Sequence, residues 1–260
     1  MEKLLIIKIG GNIIDDEQVL NRFLRAFADL EGKKILVHGG GKLATRMAAR
    51  LGLEQQLVDG RRITDAETLK IVTMVYAGYV NKNIVARLQA NNCNAIGLTG
   101  ADGDSILAHK RKHQLVDYGF VGDVDAVNAG LIASLLQSSL TPVFAPITHD
   151  QQGQLLNTNA DTIAQELATS LAADYAVSLI YSFEKPGVLL DAEDDNTLIP
   201  SIDPAYYREL KAQEKIFAGM IPKLDNAFAA LQRGVSEVII GKAENLQALV
   251  QGKSGTTLKQ

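Results

Sequence analysis

The stretch LLIIKIGGN, residues 4–12, decides how the rest of the chain is interpreted. Its apolar run predicts a buried β-strand, whose side chains alternate between two faces. Lys8 therefore ends an otherwise apolar stripe on one face, directly before Gly10 and Gly11. An isolated lysine at a strand end usually extends into water, but ligands of open α/β sheets bind beyond the carboxyl ends of the strands. Because glycines let backbone amides approach an anion closely, the stretch favours a phosphate site.

Strand-like and helix-like segments alternate along most of the chain. Apolar runs rich in β-forming residues occupy residues 3–9, 33–38, 94–98, 141–147, 174–183 and 236–241. Helical periodicity occupies residues 16–31, 41–51, 65–90, 127–138, 160–172, 204–215, 220–233 and 243–250. This alternation predicts an α/β fold, a three-layer αβα sandwich whose mostly parallel central sheet is covered by helices on both faces.

Two segments carry additional local signals. Residues 104–125 have no helical period, and their short alternating runs around a basic turn predict a β-hairpin. The motif TDAE at residues 64–67 predicts a capping box at the start of a helix. In that motif the Thr64 hydroxyl and the Glu67 carboxylate would each accept a hydrogen bond from a free backbone amide.

Size and composition limit the classes of protein to consider. The 260 residues predict a single domain, which we divide into lobes at residues 1–170 and 171–260. A formal net charge of -4 gives no electrostatic reason to expect a nucleic-acid partner. The single cysteine, Cys93, excludes an intramolecular disulfide and favours a reducing compartment. The apolar N-terminal run is too short to cross a membrane and lacks signal-peptide features, so we expect a cytoplasmic protein without a membrane partner.

A second glycine loop repeats the layout of the first. In ILVHGGGK, residues 35–42, a strand leads through Gly39–Gly41 into a helix, whose N-terminus can bind phosphate or carboxylate. Leu36 stands where a Walker A loop needs its first glycine, which excludes that motif. A relaxed Gly-x-Gly-x-x-Ala pattern ending at Ala44, with Asp59 further on, leaves a dinucleotide-binding dehydrogenase as a rival hypothesis. Asp59, however, precedes a helix where that pattern needs the end of a strand.

Three further motifs supply polar groups. Arg61 and Arg62 precede the capped helix, and an arginine can grip the carboxylate of a small acid. In NTNAD the alternating Asn157, Asn159 and Asp161 point to one side of an extended segment, whereas helix capping would explain only one of them.

The segment GMIPKLDNAF opens a helix with Pro222 in its first turn. Lys223 therefore stands near the positive end of a helix, where a bound phosphate would turn an unfavourable position into a favourable one. Lysines, glycine loops and a carboxylate-directed arginine together fit transfer of a phosphoryl group to an acid, which needs alignment and charge neutralisation.

Several ordered motifs resemble the amino acid kinase family over the whole chain, and within it the branch that acts on N-acylated glutamate. They are IIKIGGN, VHGGGK, DGRRIT, GLTGADGD, NTNADTIA and GMIPKLDNA. The resemblance implies ATP-dependent phosphorylation of the γ-carboxylate of N-acetyl-L-glutamate to N-acetylglutamyl 5-phosphate in arginine biosynthesis. N-succinylglutamate, another substrate of the family (glutamate, carbamate or a nucleoside monophosphate) and a catalytically silent regulatory subunit remain as alternatives.

The resemblance also implies roles for individual residues. Lys8 and Lys223 would stabilise the transferred phosphoryl group, Asp161 would orient both lysines, and the amides of Gly11 and Gly41 would bind the phosphoryl oxygens. Arg62 would bind the α-carboxylate of the substrate. The predicted substrate-binding set is Gly40, Gly41, Arg62, Asn157 and Asn159.

ATP is expected in the C-terminal lobe, with Mg²⁺ carried by the nucleotide and no metal site of the protein's own. The predicted nucleotide-binding set is Gly10, Gly11, Ser182, Phe183, Gly187, Val188, Leu189, Phe217, Gly219, Met220 and Lys223. Phe183 and Glu184 stand where relatives commonly carry Asp and Val. The short N-terminus resembles that of homodimeric members, and Arg61 or the segment 110–112 are candidates to line the acyl pocket.

Overall fold

The computed structural model describes residues 1–58, 61–213, 215–216 and 220–260, except for the side chains of Arg61 and Pro222. The strands are β1 Glu2–Ile9, β2 Lys33–His38, β3 Leu57–Val58, β4 Arg61–Arg62, β5 Ala95–Leu98, β6 Ile106–Lys110, β7 Gly122–Val127, β8 Thr141–Phe144, β9 Ile147–His149, β10 Leu155–Asn157, β11 Tyr175–Phe183, β12 Ser201–Ile202, β13 Glu237–Lys242 and β14 Thr256–Leu258. The helices are α1 Gly11–Asp15, α2 Glu17–Ala28, α3 Gly41–Arg50, α4 Ala66–Val72, α5 Asn81–Ala90, α6 Ala129–Gln137, α7 Ala160–Leu171, α8 Pro204–Ala212, α9 Ile221–Gln232 and α10 Leu246–Val250, with a π-helical segment at Thr73–Val80.

The main sheet has the strand order β12-β14-β13-β11-β1-β2-β8-β5. Its neighbouring strands run parallel except for β13 and β14, which are antiparallel. Buried clusters lie on both faces of the sheet, one against α6, α7, α8 and α9 and the other against α2, α3, α4 and α5. The predicted α/β sandwich with a mostly parallel sheet is therefore confirmed.

Strand β1 lies inside this sheet, between β11 and β2. Leu4 and Ile6 are fully buried on the face that α7 covers, while Ile7 and Ile9 are buried on the other face. This alternation is the one that the sequence predicts, and it places the side chain of Lys8 on the α7 side.

A second sheet has the order β10-β9-β6-β7. Its strands β6 and β7 form the antiparallel hairpin predicted for residues 104–125. The prediction of one strand over 141–147 is wrong, because the chain forms β8 in the main sheet and β9 in the second sheet. Pro146 separates the two strands and has no N–H to continue the first ladder. Strand β10 has no counterpart in the sequence prediction.

One long predicted helix is preceded by a short helix that was not predicted, and another is subdivided. The segment 16–31 contains α2, because the Asp16 carboxylate accepts bonds from the amides of Gln18 (2.9 Å) and Val19 (3.0 Å) and starts a new helix after α1. The segment 65–90 contains α4, the π-helical segment and α5. Within the described part of the chain, none of the helices is both long and apolar enough to cross a bilayer.

The start of α4 is where predicted, but its cap differs. The carboxylate of Asp65 accepts a 2.7 Å bond from the amide of Thr68, so Asp65 is the N-cap. The hydroxyl of Thr64 instead donates to the carbonyl of Arg62 at 3.2 Å. The predicted capping box is wrong by one residue. The bond from Thr68 also lowers the pKa of Asp65, because it stabilises the ionised carboxylate.

We expect Asp65→Ala to lower the free energy of unfolding by about 1 kcal/mol, the usual cost of losing an N-cap. Glu67→Ala, the matched control, removes only an exposed pair with Lys70 and should cost less than about 0.5 kcal/mol. Since the pKa of Asp65 is lowered in the folded state, its contribution is present at neutral pH and is lost as the pH falls through that pKa. Urea unfolding measures both variants; equal losses would contradict the assignment of the cap.

Candidate active site

The two glycine loops lie side by side at one edge of the main sheet. In the parallel register of β1 and β2, Lys8 is opposite Val37 and Ile9 is opposite His38. The loop after β1 leads into α1, and the loop after β2 leads into α3. The amide of Gly10 donates to the carbonyl of Ser182 at 3.2 Å, which brings the end of β11 to the same edge. Residues from three parallel strands thus meet where such sheets bind ligands.

Lys8 forms an ion pair with Asp161. Its Nζ lies 2.7 Å from Oδ1 of Asp161, and the two side chains are 17% and 30% exposed. Asp161 lies in the first turn of α7, where the helix dipole favours a carboxylate. The lysine that ends the apolar stripe is therefore held by a carboxylate and does not simply extend into water.

Lys223 is exposed near the start of α9. Its Nζ lies 4.7 Å from the centroid of the Phe183 ring, a cation–π contact. In the ion pairs of the described residues, Asp161 holds Lys8 but not Lys223. The ring of Phe183 is therefore the contact that this second lysine makes in the structure.

A cavity of about 390 Å³ opens beside the second glycine loop. All five residues predicted to bind the substrate line it, so the fold brings together positions 40, 41, 62, 157 and 159. Its other lining residues are Gly39, Lys42, Thr45, Leu57, Tyr76, Arg111, Val121, Pro146, Thr158 and Ala160. Arg111 belongs to the predicted basic turn at 110–112, whereas the side chain of Arg61 lies outside the described residues.

Arg62 is fixed against the start of α3. Its Nη2 donates to the carbonyl of Gly41 at 3.0 Å and to the hydroxyl of Thr45 at 2.9 Å. Its Nη1 donates to Oε1 of Gln55. These three bonds hold the guanidinium at the cavity wall in a fixed orientation.

The NTNAD segment performs three different tasks. Nδ2 of Asn157 donates to the hydroxyl of Thr64 at 3.0 Å. Oδ1 of Asn159 caps α7, since it accepts from the amides of Asp161 (2.8 Å) and Thr162 (3.2 Å). Capping thus accounts for Asn159 alone, as the alternation of the three side chains suggested.

The ring of Tyr76 leaves no room for a side chain at position 40. Gly40 has a φ of +153°, and a Cβ there would lie 2.8 Å from Cδ1 of the Tyr76 ring. Tyr76 comes from the π-helical segment and is 5% exposed. Burial raises the pKa of Tyr76, so the ring stays a neutral phenol. Sequence reasoning missed this residue, because an aromatic residue within a helical pattern resembles ordinary core.

The side chain of His38 is hydrogen-bonded to the backbone of the second glycine loop. It is fully buried, with Nδ1 2.8 Å from the carbonyl of Gly39 and Nε2 3.1 Å from Nδ2 of Asn81. Nδ2 of Asn81 can only donate, so Nε2 of His38 accepts and its Nδ1–H donates to the carbonyl of Gly39. Burial lowers the pKa of His38 to about 4, which keeps the imidazole neutral. Its place in the motif VHGGGK was visible in the sequence, but its burial was not.

Apart from Gly10 and Gly11 in the first glycine loop, the predicted nucleotide-binding residues lie in the C-terminal part of the chain. A Cβ on Gly187 would lie 2.6 Å from the Thr256 hydroxyl. That hydroxyl donates to the carbonyl of Ile199 at 2.6 Å. The amide of Val188 donates to the same hydroxyl at 2.8 Å, and its carbonyl accepts from the amide of Ile199 at 2.9 Å. The side chains of Val188 and Leu189 are buried. Ser182 Oγ is buried without a hydrogen-bond partner in the described structure.

Two further predicted positions, Phe217 and Gly219, lie outside the described residues, as does Asp59 of the rival dinucleotide pattern. Met220 is half-buried against the core. Over the described ranges, His, Cys, Asp and Glu side chains form no group of three or more that could hold a metal ion.

A sequence model of the amino acid kinase family matches residues 3–242. The chain belongs to the amino acid kinase family. This membership confirms the resemblance seen in the motifs and removes the reason for the dinucleotide-binding hypothesis, whose pattern falls on the glycine loop of this kinase fold.

Two curated relatives match the chain almost from end to end. An acetylglutamate kinase of Phocaeicola vulgatus is 56% identical over 259 residues, which is 100% of this chain and 99% of that protein. An acetylglutamate kinase of Cytophaga hutchinsonii is 59% identical over 251 residues, which is 96% of this chain and 95% of that protein.

A solved structure supports the fold of this amino acid kinase. The N-acetylglutamate synthase of Neisseria gonorrhoeae, in complex with coenzyme A and N-acetyl-glutamate, superposes with a TM-score of 0.82 at 21% identity. The match covers 99% of this chain and 59% of that chain. At this identity the likeness establishes the fold and no more.

The buried neutral His38 makes stability depend on pH. The unfolded chain binds a proton near pH 6.5 but the folded chain only near pH 4, so protonation favours unfolding. We expect the free energy of unfolding to fall by up to about 3 kcal/mol between pH 6.5 and 4 on account of this residue. His38→Gln should lose that part of the slope in urea unfolding measured from pH 4.5 to 8. An unchanged slope would show that His38 is not held neutral.

Proposed function

We propose that this amino acid kinase transfers the γ-phosphoryl group of ATP to the γ-carboxylate of N-acetyl-L-glutamate, the second step of arginine biosynthesis. The observation that carries the proposal is the ion pair of Lys8 and Asp161, placed where two glycine loops meet beside a cavity lined by Arg62. The name shared by the two curated relatives supports the choice of acceptor.

The cavity provides the acceptor site of the proposal. The fixed fork of Arg62 would bind the α-carboxylate, and the amide of Asn157 would bind the acyl group. The backbone of Gly40 and Gly41 would direct the γ-carboxylate toward the first glycine loop. A carboxylate is already a nucleophile at neutral pH, so the reaction needs no general base from the protein.

The phosphoryl group would pass between the two loops. Its charge spreads over the peripheral oxygens during transfer, and fixed cations and amides stabilise that charge best. Lys8 would supply one ammonium group and Lys223 the other, while Asp161 would orient both. The amides of Gly11 and Gly41 would bind the same oxygens from the loops.

ATP would lie on the C-terminal lobe, residues 171–260, against the ends of β11 and the backbone of Gly187–Leu189. Phe183 would contact the nucleotide through its ring, which already lies under Lys223. Mg²⁺ would be carried by the phosphates of ATP, since the described part of the protein offers no carboxylate cluster for it.

The lining of the cavity also favours one of the two candidate acyl groups of the substrate. Arg111, at its wall, is paired with Asp123 through Nε, 3.0 Å from Oδ1 and 3.1 Å from Oδ2. An arginine that is neutralised in this way offers little charge to a second substrate carboxylate. This pairing favours an acetyl over a succinyl group and agrees with the names of the relatives.

The direct test is consumption of ATP with a panel of acceptors, with hydroxylamine present to trap an acyl phosphate. We expect acyl hydroxamate with N-acetylglutamate at a higher kcat/KM than with N-succinylglutamate, glutamate or carbamate. ATP binding without product from any acceptor would instead support the regulatory subunit. A preference for N-succinylglutamate would retain the chemistry and reject the acetyl group.

Lys8→Ala and Lys223→Ala should each lower kcat by about 100-fold or more, while both KM values stay within about threefold, because each removes a cation that acts on the transferred charge. Lys33→Ala is the matched control: Lys33 starts β2 at the opposite edge of the sheet and pairs with Glu2. Steady-state kinetics of the three variants decide the roles. A variant of Lys8 or Lys223 that matches the control would exclude that lysine.

We further propose a cytoplasmic homodimer. Large apolar side chains are exposed on α3 and on the neighbouring π-helical segment, where Met47, Met74 and Tyr79 are 37%, 58% and 65% exposed. Such exposure is typical of a surface that a second subunit covers. Light scattering should then give a mass of about 56 kDa, twice 28.0 kDa; a mass of one chain would exclude the dimer.

A further inference from the structure

Lys42 links the two glycine loops. It directly follows Gly41 in the first turn of α3, and its Nζ donates to Oδ1 of Asn12. Asn12 directly follows Gly11 in the first turn of α1. Lys42 also lines the cavity described above. One ammonium group therefore joins the first turns of the two helices that follow the glycine loops.

Within the described residues, the charge of Lys42 is not paired with a carboxylate. Its partner is the neutral amide oxygen of Asn12. A cation in the first turn of a helix also opposes the helix dipole, and α3 has no acidic residue in that turn to relieve it. An anion that enters between the loops would remove this unfavourable interaction.

We propose that Lys42 is a third ammonium group acting on the phosphoryl group during its transfer. This inference rests on the proposed function. In the reaction the bond from phosphorus to the bridging oxygen of ADP breaks, and a bond from phosphorus to the acceptor carboxylate oxygen forms. Lys42 keeps its proton throughout and neutralises charge on the phosphoryl oxygens as they pass from the Gly11 loop to the Gly41 loop.

Two other roles would also place a lysine here. Lys42 could act only as a tether, with its bond to Asn12 setting the distance between the loops. Alternatively, it could bind a carboxylate of the acceptor as a second cation beside Arg62. The three roles differ in which substitutions matter and in which kinetic constant changes.

Four variants separate these roles. Lys42→Gln keeps an amide donor for Asn12 but removes the charge, and Lys42→Arg keeps the charge. Asn12→Ala removes the tether and leaves the charge. Lys70→Gln is the control, because Lys70 is an exposed lysine on α4 that pairs with Glu67 away from the cavity.

Steady-state kinetics with ATP and N-acetylglutamate should show kcat reduced about 10- to 100-fold in Lys42→Gln, with both KM values within about threefold. Lys42→Arg should recover most of the rate, while Asn12→Ala and Lys70→Gln stay close to the wild type. The thermal midpoint of Lys42→Gln should match that of the wild type, since Lys42 is exposed.

Three results would overturn the inference. They are a wild-type kcat in Lys42→Gln, an equal loss of kcat in Asn12→Ala, and a loss in Lys42→Gln confined to the KM of the acceptor. Formation of acyl hydroxamate by the wild-type enzyme tests the proposed function separately, so that the inference can fail while the function stands.

Discussion

The ion pair between Lys8 and Asp161 is the interaction on which the site depends. It joins the end of a central strand to the first turn of a helix that packs on one face of the sheet. A lysine on the apolar face of β1 would be costly if it were buried without a partner. The carboxylate removes that cost and also fixes where the ammonium group points. The same contact thus joins the end of β1 to the first turn of α7 and holds the ammonium group at the carboxyl end of the strand.

Around this pair, neutral groups shape the site and charged groups face the cavity. His38 and Tyr76 are both buried, and burial shifts their pKa values so that both stay uncharged. His38 holds the carbonyl of Gly39, and the ring of Tyr76 occupies the space that a side chain on residue 40 would need. The backbone of the loop is thereby held open on its cavity side. The charged groups at the cavity wall include Arg62, whose position is set by a hydrogen bond to the loop itself.

Much of the fold follows from local sequence physics, and the exceptions have identifiable causes. Alternation along β1 predicted the face of Lys8 correctly, since a period of two is set by strand geometry. The strand predicted over 141–147 divides before and after Pro146, and β9, which follows it, belongs to a second sheet that no local pattern predicts. The cap of α4 moves from Thr64 to Asp65, because the Thr64 hydroxyl donates to the carbonyl of Arg62 and accepts from Asn157, which is far away in the sequence. Local propensity cannot reveal such tertiary competition.

Sequence reasoning identified the candidate-site residues whose charged side chains stand out in polar or glycine-rich motifs. It missed residues whose contribution to the site depends on their burial. Lys8, Arg62 and Asp161 stood out because their types and spacing suggested phosphate or carboxylate chemistry. Tyr76 was missed because it has the pattern of a core residue, and its role depends on a π-helical segment that turns its ring under the glycine loop. The cation–π contact between Lys223 and Phe183 likewise depends on how α9 packs relative to the end of β11.

The central claim is that Lys8 and Asp161 act as one unit in phosphoryl transfer. A double-mutant cycle on kcat with Lys8→Met, Asp161→Asn and the double variant tests this claim most directly. If Asp161 acts mainly by holding Lys8, the double variant should lose much less than the product of the two single losses. Any loss from Asp161→Asn that remains in the Lys8→Met background would report its proposed orientation of Lys223. Losses that multiply fully in the double variant would show that the two residues act independently and would contradict the account.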